Sequence, residues 1–310
     1  MIEAKRLTMF YGSVEALHEA SFSVAKGEIV GLLGPNGAGK STTLKILTTY
    51  LYPTSGTALV GGKDVIKEPL AVRRLVGYLP EALPLYEELE VAEYLRFVAQ
   101  ARGLSGAERD KRTQFVLDEC GLGPMYRRPI RQLSKGYRQR TALAQALIHD
   151  PAVVVLDEPT SGLDPHQILE IRKLVKQLAK SRTVIFSTHI LQEVQAVADR
   201  VVIINRGRIV ADGSMLELAR QAQEGARSEV SVKADPRDVE AVLKTIRIAR
   251  KVRRLPSEAN LARFEVECAP GEPLNEAIFS QVKQKGWDLR ELKEKPFTLE
   301  ETFLALTEGE

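Results

Sequence analysis

The 310-residue chain carries 44 basic and 41 acidic residues, for a formal net charge of +3, with 44% apolar and 27% charged residues. This length and composition are those of a globular protein with at least one full core, which excludes intrinsic disorder, and so balanced a charge implies no strong field for nucleic acid or an acidic membrane. Cys120 and Cys268 stand too far apart to suggest a disulfide framework or a metal site and fit a reducing cytoplasm, while the absence of an apolar leader and of about eighteen consecutive apolar residues predicts a chain that neither crosses nor enters a membrane.

Alternating apolar and polar residues with turn signals at Tyr11-Gly12-Ser13 and Lys26-Gly27 predict an antiparallel β portion at the start. An apolar strand over 28–33 then runs into Gly34-Pro35-Asn36-Gly37-Ala38-Gly39-Lys40-Ser41, a match to G-x-x-x-x-G-K-[ST] between strand and helix. The glycines let the backbone wrap a β-phosphate, Lys40 meets the β/γ charge, and the Ser41 hydroxyl is placed to hold Mg²⁺. A helix beginning at Ser41 turns its positive dipole end toward the same phosphates. Nucleotide binding is the leading reading. Farther on, 85–150 reads as helical, with apolar residues three and four apart in 91–98 and 113–117, a helical subdomain inserted into an α/β core with 80–86 as a nucleotide-sensing hinge.

Within that segment, Leu133-Ser134-Lys135-Gly136-Tyr137-Arg138-Gln139-Arg140 precedes an apolar-rich helical run over 141–148. Ser134 reads as an N-cap, and with Gly136 and the exposed amides of a helix start it forms a second anion site, which implies either two ligands or one ligand clamped between two copies. A buried strand over 152–158 ends in Asp157 and Glu158, adjacent acids that are costly there without a role; Asp157 would hold the hydration shell of Mg²⁺ and Glu158 would polarise an attacking water. Asp164-Pro165 has the form of a helix start, and a strand over 183–187 leads to His189. A hairpin follows around Asn205-Arg206-Gly207-Arg208. After a linker at 221–226 come strand 228–234, helix 236–247, strand 250–255, strand 261–268, helix 273–285 and strand 287–293, the order of a small ferredoxin-like α+β domain, and then an amphipathic helix with a capping-box start over 298–306. The basic clusters Arg127-Arg128-Pro129-Ile130-Arg131 and Arg250-Lys251-Val252-Arg253-Arg254 lack interleaved aromatics and read as solvated faces or strand edges.

The series formed by the lysine loop, Leu133-Ser134-Lys135-Gly136, the 152–158 strand with its Asp-Glu-Pro ending, Ser161-Gly162-Leu163-Asp164-Pro165 and Ser187-Thr188-His189 resembles the nucleotide-binding subunit of an ABC transporter. Within that family it is most similar to the single-domain ATPases of ABC-2-type exporters, including the gliding-motility and multidrug-resistance subgroup. The resemblance implies an α/β P-loop NTPase cassette over 1–220, with a RecA-like core, an antiparallel β portion and a helical subdomain, followed by an accessory α+β domain over 227–310. It implies that Tyr11 stacks on adenine, and that Gly34, Asn36, Gly37, Ala38, Gly39, Lys40, Ser41 and Thr42 take the phosphates of ATP. Ser41, Asp157 and Glu81 would serve Mg²⁺, Glu158 and His189 catalysis, and Ser134 and Gly136 the γ-phosphate bound by the opposite protomer, with Asp164 linking the two sites. It also implies a homodimer, a separately encoded integral-membrane permease and a cytoplasmic location at the inner face of the membrane, while the balanced charge and the basic clusters without aromatics predict no nucleic-acid partner.

Two departures from the family pattern stand out. Glu81 replaces the usual glutamine and adds negative charge beside the phosphates, and Lys135 and Tyr137 replace commoner residues while leaving Ser134 and Gly136 in place. A soluble regulatory ATPase acting on ribosomes or DNA-repair intermediates is the competing reading, but such relatives usually carry two cassettes or a long coiled-coil insertion, and this sequence has neither. A crippled nucleotide sensor is a third, against which Lys40, Asp157, Glu158 and His189 weigh. The tail reads either as a small-molecule sensor or as an appendix that stabilises a dimer or docks a partner.

Overall fold

Strands β1 (Ile2–Tyr11) and β2 (Val14–Val24) pair antiparallel across the expected turn, and their alternation, shifted by register breaks on either side of Leu7, places Ile2, Ala4, Leu7, Leu17, Ala20 and Phe22 inside. This computed structural model describes residues 1–222, 226–257, 261–269 and 271–295; the amphipathic helix expected over 298–306 lies outside the described residues. Strand β3 (Ile29–Leu33) is buried at every position, as a strand covered on both faces must be. Helix α1 (Lys40–Leu47) starts one residue earlier than expected.

The next elements have no counterpart in the sequence reading: β4 (Ser55–Val60), the two-residue β5 (Lys63–Asp64) and α2 (Pro69–Leu75). They are too short to show a period, and β4 opens Ser-Gly-Thr, with little apolar signal. Strand β4 adds to β1, giving a sheet of order β2-β1-β4-β5. After β6 (Val76–Leu79) the helical insertion supplies α3 (Val91–Ala101), α4 (Gly106–Glu119) and α5 (Lys135–Leu147). Glu90 and Glu93 form a capping box on α3, and Ser134 caps α5.

The chain then alternates β7 (Val153–Asp157), α6 (Pro165–Ala179), β8 (Thr183–Thr188), α7 (Leu191–Val197), β9 (Arg200–Asn205) and β10 (Arg208–Gly213). These form a six-stranded sheet of order β10-β9-β3-β8-β7-β6, parallel except for the β9–β10 hairpin. This order sets the carboxyl ends of β3, β8 and β7 next to one another, where open α/β sheets place ligands.

The chain divides into two compact units, Met1–Met215 and Leu216–Glu310. Helix α8 (Met215–Ala222) begins at that division. The second unit contains β11 (Ala226–Lys233), α9 (Pro236–Lys244), β12 (Ala249–Arg254), β13 (Ala262–Cys268), α10 (Leu274–Gln284) and β14 (Asp288–Glu294) in an antiparallel sheet of order β12-β13-β11-β14. Val230, Val232, Phe264 and Val266 pack on Val239, Leu243, Ile278 and Val282 of the two helices. Helix α9 ends three residues short of the expected 247, where β-branched Thr245 and Ile246 weaken it and Thr245 becomes the C-cap. The basic run 250–254 lies on edge strand β12 with its cations exposed. Both cysteines are buried and are not joined to each other in a disulfide.

Candidate functional site

Leu33 stands in register with Thr188, and Asp157 with Ser187, so the residues that follow these strand ends converge. The loop after β3 depends on its glycines at two points: a Cβ on Gly34 would fall 2.2 Å from the Ile204 carbonyl oxygen, and Gly39 adopts a φ of +105°, where a Cβ would fall 2.7 Å from the Ala16 carbonyl oxygen. The turn delivers Lys40, 6% exposed, whose Nζ donates to the carbonyls of Gly34 (2.8 Å) and Pro35 (3.1 Å) and lies 3.4 Å from Glu158 Oε1.

Asp157, at the end of β7, accepts at Oδ1 from the hydroxyls of Ser41 (3.0 Å) and Ser187 (2.6 Å), while no described residue donates to Oδ2. Ser187 Oγ in turn accepts from the Glu158 N–H at 2.9 Å. Glu158 is held with a φ of +47°, a conformation a glutamate adopts only under constraint. Its carboxylate lies 3.1 and 3.2 Å from His189 Nδ1, so it bridges a buried ammonium and a half-exposed imidazole.

Lys40, Ser41, Glu158 and His189 border a cavity of about 360 Å³, whose lining also includes Asn36, Gly37, Gly39, Thr42 and Glu81. Ala16 and Ser161 also line it, and the sequence reading assigned neither to the site. Glu81 is exposed and, with Ser41, also lines a neighbouring cavity of about 410 Å³ that includes Asp157 and Tyr78, whose phenol burial pushes well above its usual range. Gly34 and Ala38 lie beneath the lining: the Gly34 N–H donates to the Thr188 carbonyl, and the Ala38 carbonyl accepts from Gly207 N–H. Tyr11, at the end of β1, is 46% exposed and does not line the cavity.

Ser134, Gly136 and Asp164 form a separate cluster that also stays out of the lining. Ser134 Oγ accepts from Tyr137 N–H (3.4 Å) and caps α5, while Asp164 accepts from Gln167 N–H (2.9 Å) and caps α6. Gln167 joins the two ends, because its side-chain amide covers Gly136, where a Cβ would meet it at 2.6 Å. The family departure Lys135 lies over Gly162 in the loop after Glu158. From the buried side of α5, Gln139 Nε2 donates to the Pro159 carbonyl at 2.9 Å, a tie that no local pattern announces.

A family model described as ABC transporter matches residues 17–161. The linearmycin resistance ATP-binding protein of Bacillus subtilis is 32% identical over 308 residues, a match covering 99% of this chain and 98% of that one. The chain belongs to the ATP-binding proteins of ABC transporters. Its chemistry is that of an ABC ATPase, and the fold agrees: a dimeric ATP-binding cassette solved in a post-hydrolysis state with ADP and Pi is similar at a TM-score of 0.64 and 27% identity, over 69% of this chain and 99% of that one. ABC transporter A family member 1 of Dictyostelium discoideum is 36% identical over 237 residues, but the cassette matches only 27% of that protein's length.

Proposed function

We propose that two copies of this cassette close around two ATP molecules and that hydrolysis drives a separately encoded membrane permease of the exporter kind, with the ATPase at the cytoplasmic face of the membrane. The observation that carries the reading is the division of the phosphate-binding groups. Lys40, Ser41, Glu158 and His189 meet at one cavity, whereas Ser134, Gly136 and Asp164 are gathered elsewhere on the same chain. A second copy would bring the missing cluster, as the dimeric state of a solved relative supports. The full-length similarity to a linearmycin resistance protein supports export. Among the described residues no helix is long and apolar enough to cross a membrane, and the proposal assigns the transmembrane path to another polypeptide.

In this reading the loop amides and Lys40 hold the phosphates, Thr42 contacts them from α1, and Tyr11 stacks on the adenine from outside the cavity. Ser41 and Asp157 would hold Mg²⁺, with Glu81 at its outer shell. Their fit rests on a hydroxyl beside a carboxylate whose Oδ2 takes no donor from the described residues, enough for a cation that keeps several waters and substrate oxygens and needs no all-protein cage. Among the described residues no group of three or more His, Cys, Asp or Glu is placed to form such a cage. The metal would neutralise charge on the phosphoryl oxygens. Glu158, fixed between Lys40 and His189, would orient a water and take its proton, and His189 would hold that carboxylate and contact the γ-phosphate. We assign 1–220 to the cassette and 227–310 to an accessory domain that stabilises the dimer or docks a partner.

Complementation tests the composite site. Lys40→Ala and Ser134→Ala should each be inactive alone, and their mixture should recover about a quarter of wild-type sites, because half of randomly paired dimers are mixed and each holds one intact site. No recovery where mixed dimers demonstrably form would show a site complete within one chain.

A further inference from the structure

Glu193 of α7 is 4% exposed and does not line the cavity, yet both of its carboxylate oxygens are committed. Thr160 Oγ1 donates to Oε1 at 2.5 Å, and Thr188 Oγ1 donates to Oε2 at 2.6 Å. Thr160 belongs to the loop that runs from Glu158 to Asp164, and Thr188 immediately precedes His189. Each threonine is anchored again: Thr188 Oγ1 accepts from Ile190 N–H at 3.1 Å and its carbonyl accepts from Gly34 N–H at 3.3 Å, while the Thr160 carbonyl accepts from Leu163 N–H at 3.2 Å and its neighbour Pro159 is held by Gln139. A carboxylate so far from water is costly unless its oxygens are hydrogen-bonded, and among the described residues the donors are two hydroxyls, one from the loop after Glu158 and one from the end of β8 beside His189.

We propose that Glu193 is a positioning residue for ATP hydrolysis, a buried bridge that sets the approach of His189 to Glu158. The inference rests on the ATPase reading of those two residues. His189 is 45% exposed on its side chain, so its own surroundings hold it weakly; the bridge through Thr188 supplies the constraint from below the surface. Only a carboxylate accepts from both threonines at once. Glutamine at 193 keeps the length and one acceptor oxygen but forces one hydroxyl to reverse, and alanine removes both bonds.

The test measures steady-state hydrolysis and calorimetric ATP binding on the full chain for wild type, Glu193→Ala, Glu193→Gln, His189→Ala and the Glu193→Ala/His189→Ala double variant. Glu193→Ala should lower kcat by about 100-fold, the scale of a misplacement near 1 Å, and leave the ATP dissociation constant within about twofold. Glu193→Gln should restore most of the loss. The double variant should be no slower than His189→Ala, because the bridge acts through that histidine. Losses that multiply in the double variant would overturn the proposal, as would an affinity that weakens in step with kcat. Should Glu193→Ala fail to fold, Thr160→Val removes one bond at nearly constant shape, and the same comparison with His189→Ala decides the matter. A folded wild type without ATPase activity would instead defeat the underlying reading, an outcome distinct from an active wild type whose variants multiply.

Discussion

The Met1–Met215 unit buries Lys40, Asp157 and Glu158, and the Leu216–Glu310 unit buries Arg227, Glu229 and Glu265. In the second unit the charges answer one another. Glu229 pairs with Arg263 and Lys295, and Glu265 pairs with Arg227 at 3.3 Å and Arg253 at 2.9 Å. The two glutamates face each other across β11 and β13, an arrangement that repels without those cations. Burial alone would raise the Glu229 carboxyl, yet Lys295 and Arg263 hold it below the ordinary glutamate range. In the first unit the matching is incomplete: Lys40 reaches two carbonyls and one carboxylate at 3.4 Å, Asp157 Oδ2 takes no donor from a described residue, and open volume borders Lys40 and Glu158 on one side and Asp157 in the neighbouring cavity. Buried charge by itself therefore does not mark a site; buried charge beside space, with bonding capacity left over, does.

The largest expected effect tests that contrast where the capacity is used. Glu158→Gln should slow hydrolysis by about 10²–10⁴-fold while ATP still binds, since the amide keeps the shape but cannot take a proton. The trapped species should elute as a dimer in size-exclusion chromatography with Mg-ATP, and a monomer turning over at the wild-type rate would remove Glu158 from the chemistry. Lys40→Ala comes next, with a charged hydrogen bond worth about 1.5–3 kcal/mol lost and ATP affinity falling by about 10- to 150-fold. An unchanged dissociation constant by calorimetry would sink the phosphate-loop assignment.

The second unit should respond in stability instead. Glu229→Ala removes the buried acceptor of Arg263 and Lys295, cations 41% and 38% exposed that can turn to water, and should cost about 1 kcal/mol in denaturant unfolding with no change in hydrolysis per folded molecule. Loss of hydrolysis in a fully folded Glu229→Ala protein would break the comparison, because it would give that network a functional task. The smallest effect concerns His149, which burial, reinforced by the charge of Arg102, lowers from 6.5 to about 4 while its Nε2 lies 3.1 Å from the Val76 carbonyl. The folded state keeps this imidazole neutral where the unfolded chain protonates, so its contribution is full above the unfolded value of 6.5 and is lost as pH falls toward 4. Melting temperatures between these limits should fall by on the order of a few degrees more in wild type than in His149→Gln. Parallel pH profiles would show that His149 does not contribute to the acid limb.

Much of the fold is legible because its signals are local. The glycines and lysine of 34–41 sit between an apolar strand and a helix, Ser134 and Asp164 cap their helices through N–H groups three residues on, and the β-α-β-β-α-β order of the second unit can be read from period and turn residues. The segment from β4 to α2 is not legible, since neither a two-residue strand nor a seven-residue helix has room to display a period. The site divides in the same way. Its lysine loop and its acidic residues stand in recognisable strings, but Ser187, Gln139 and Glu193 act on partners 30, 20 and 33 residues away.

What the sequence by itself determined is the set of groups and their immediate backbone: a loop able to wrap phosphate, two acids at a strand end, a histidine after another strand, and caps that begin the helices. The tertiary structure alone decided that these groups meet. The order β3-β8-β7 brings Lys40, His189 and Glu158 to one cavity, leaves Ser134 and Asp164 outside it, and sets Glu193 between the loops. The physical reason is range. A cap or a glycine turn is fixed by atoms within a few residues along the chain, whereas which strands lie side by side is settled by how the continuous apolar runs bury one another, and those runs look alike until they are packed.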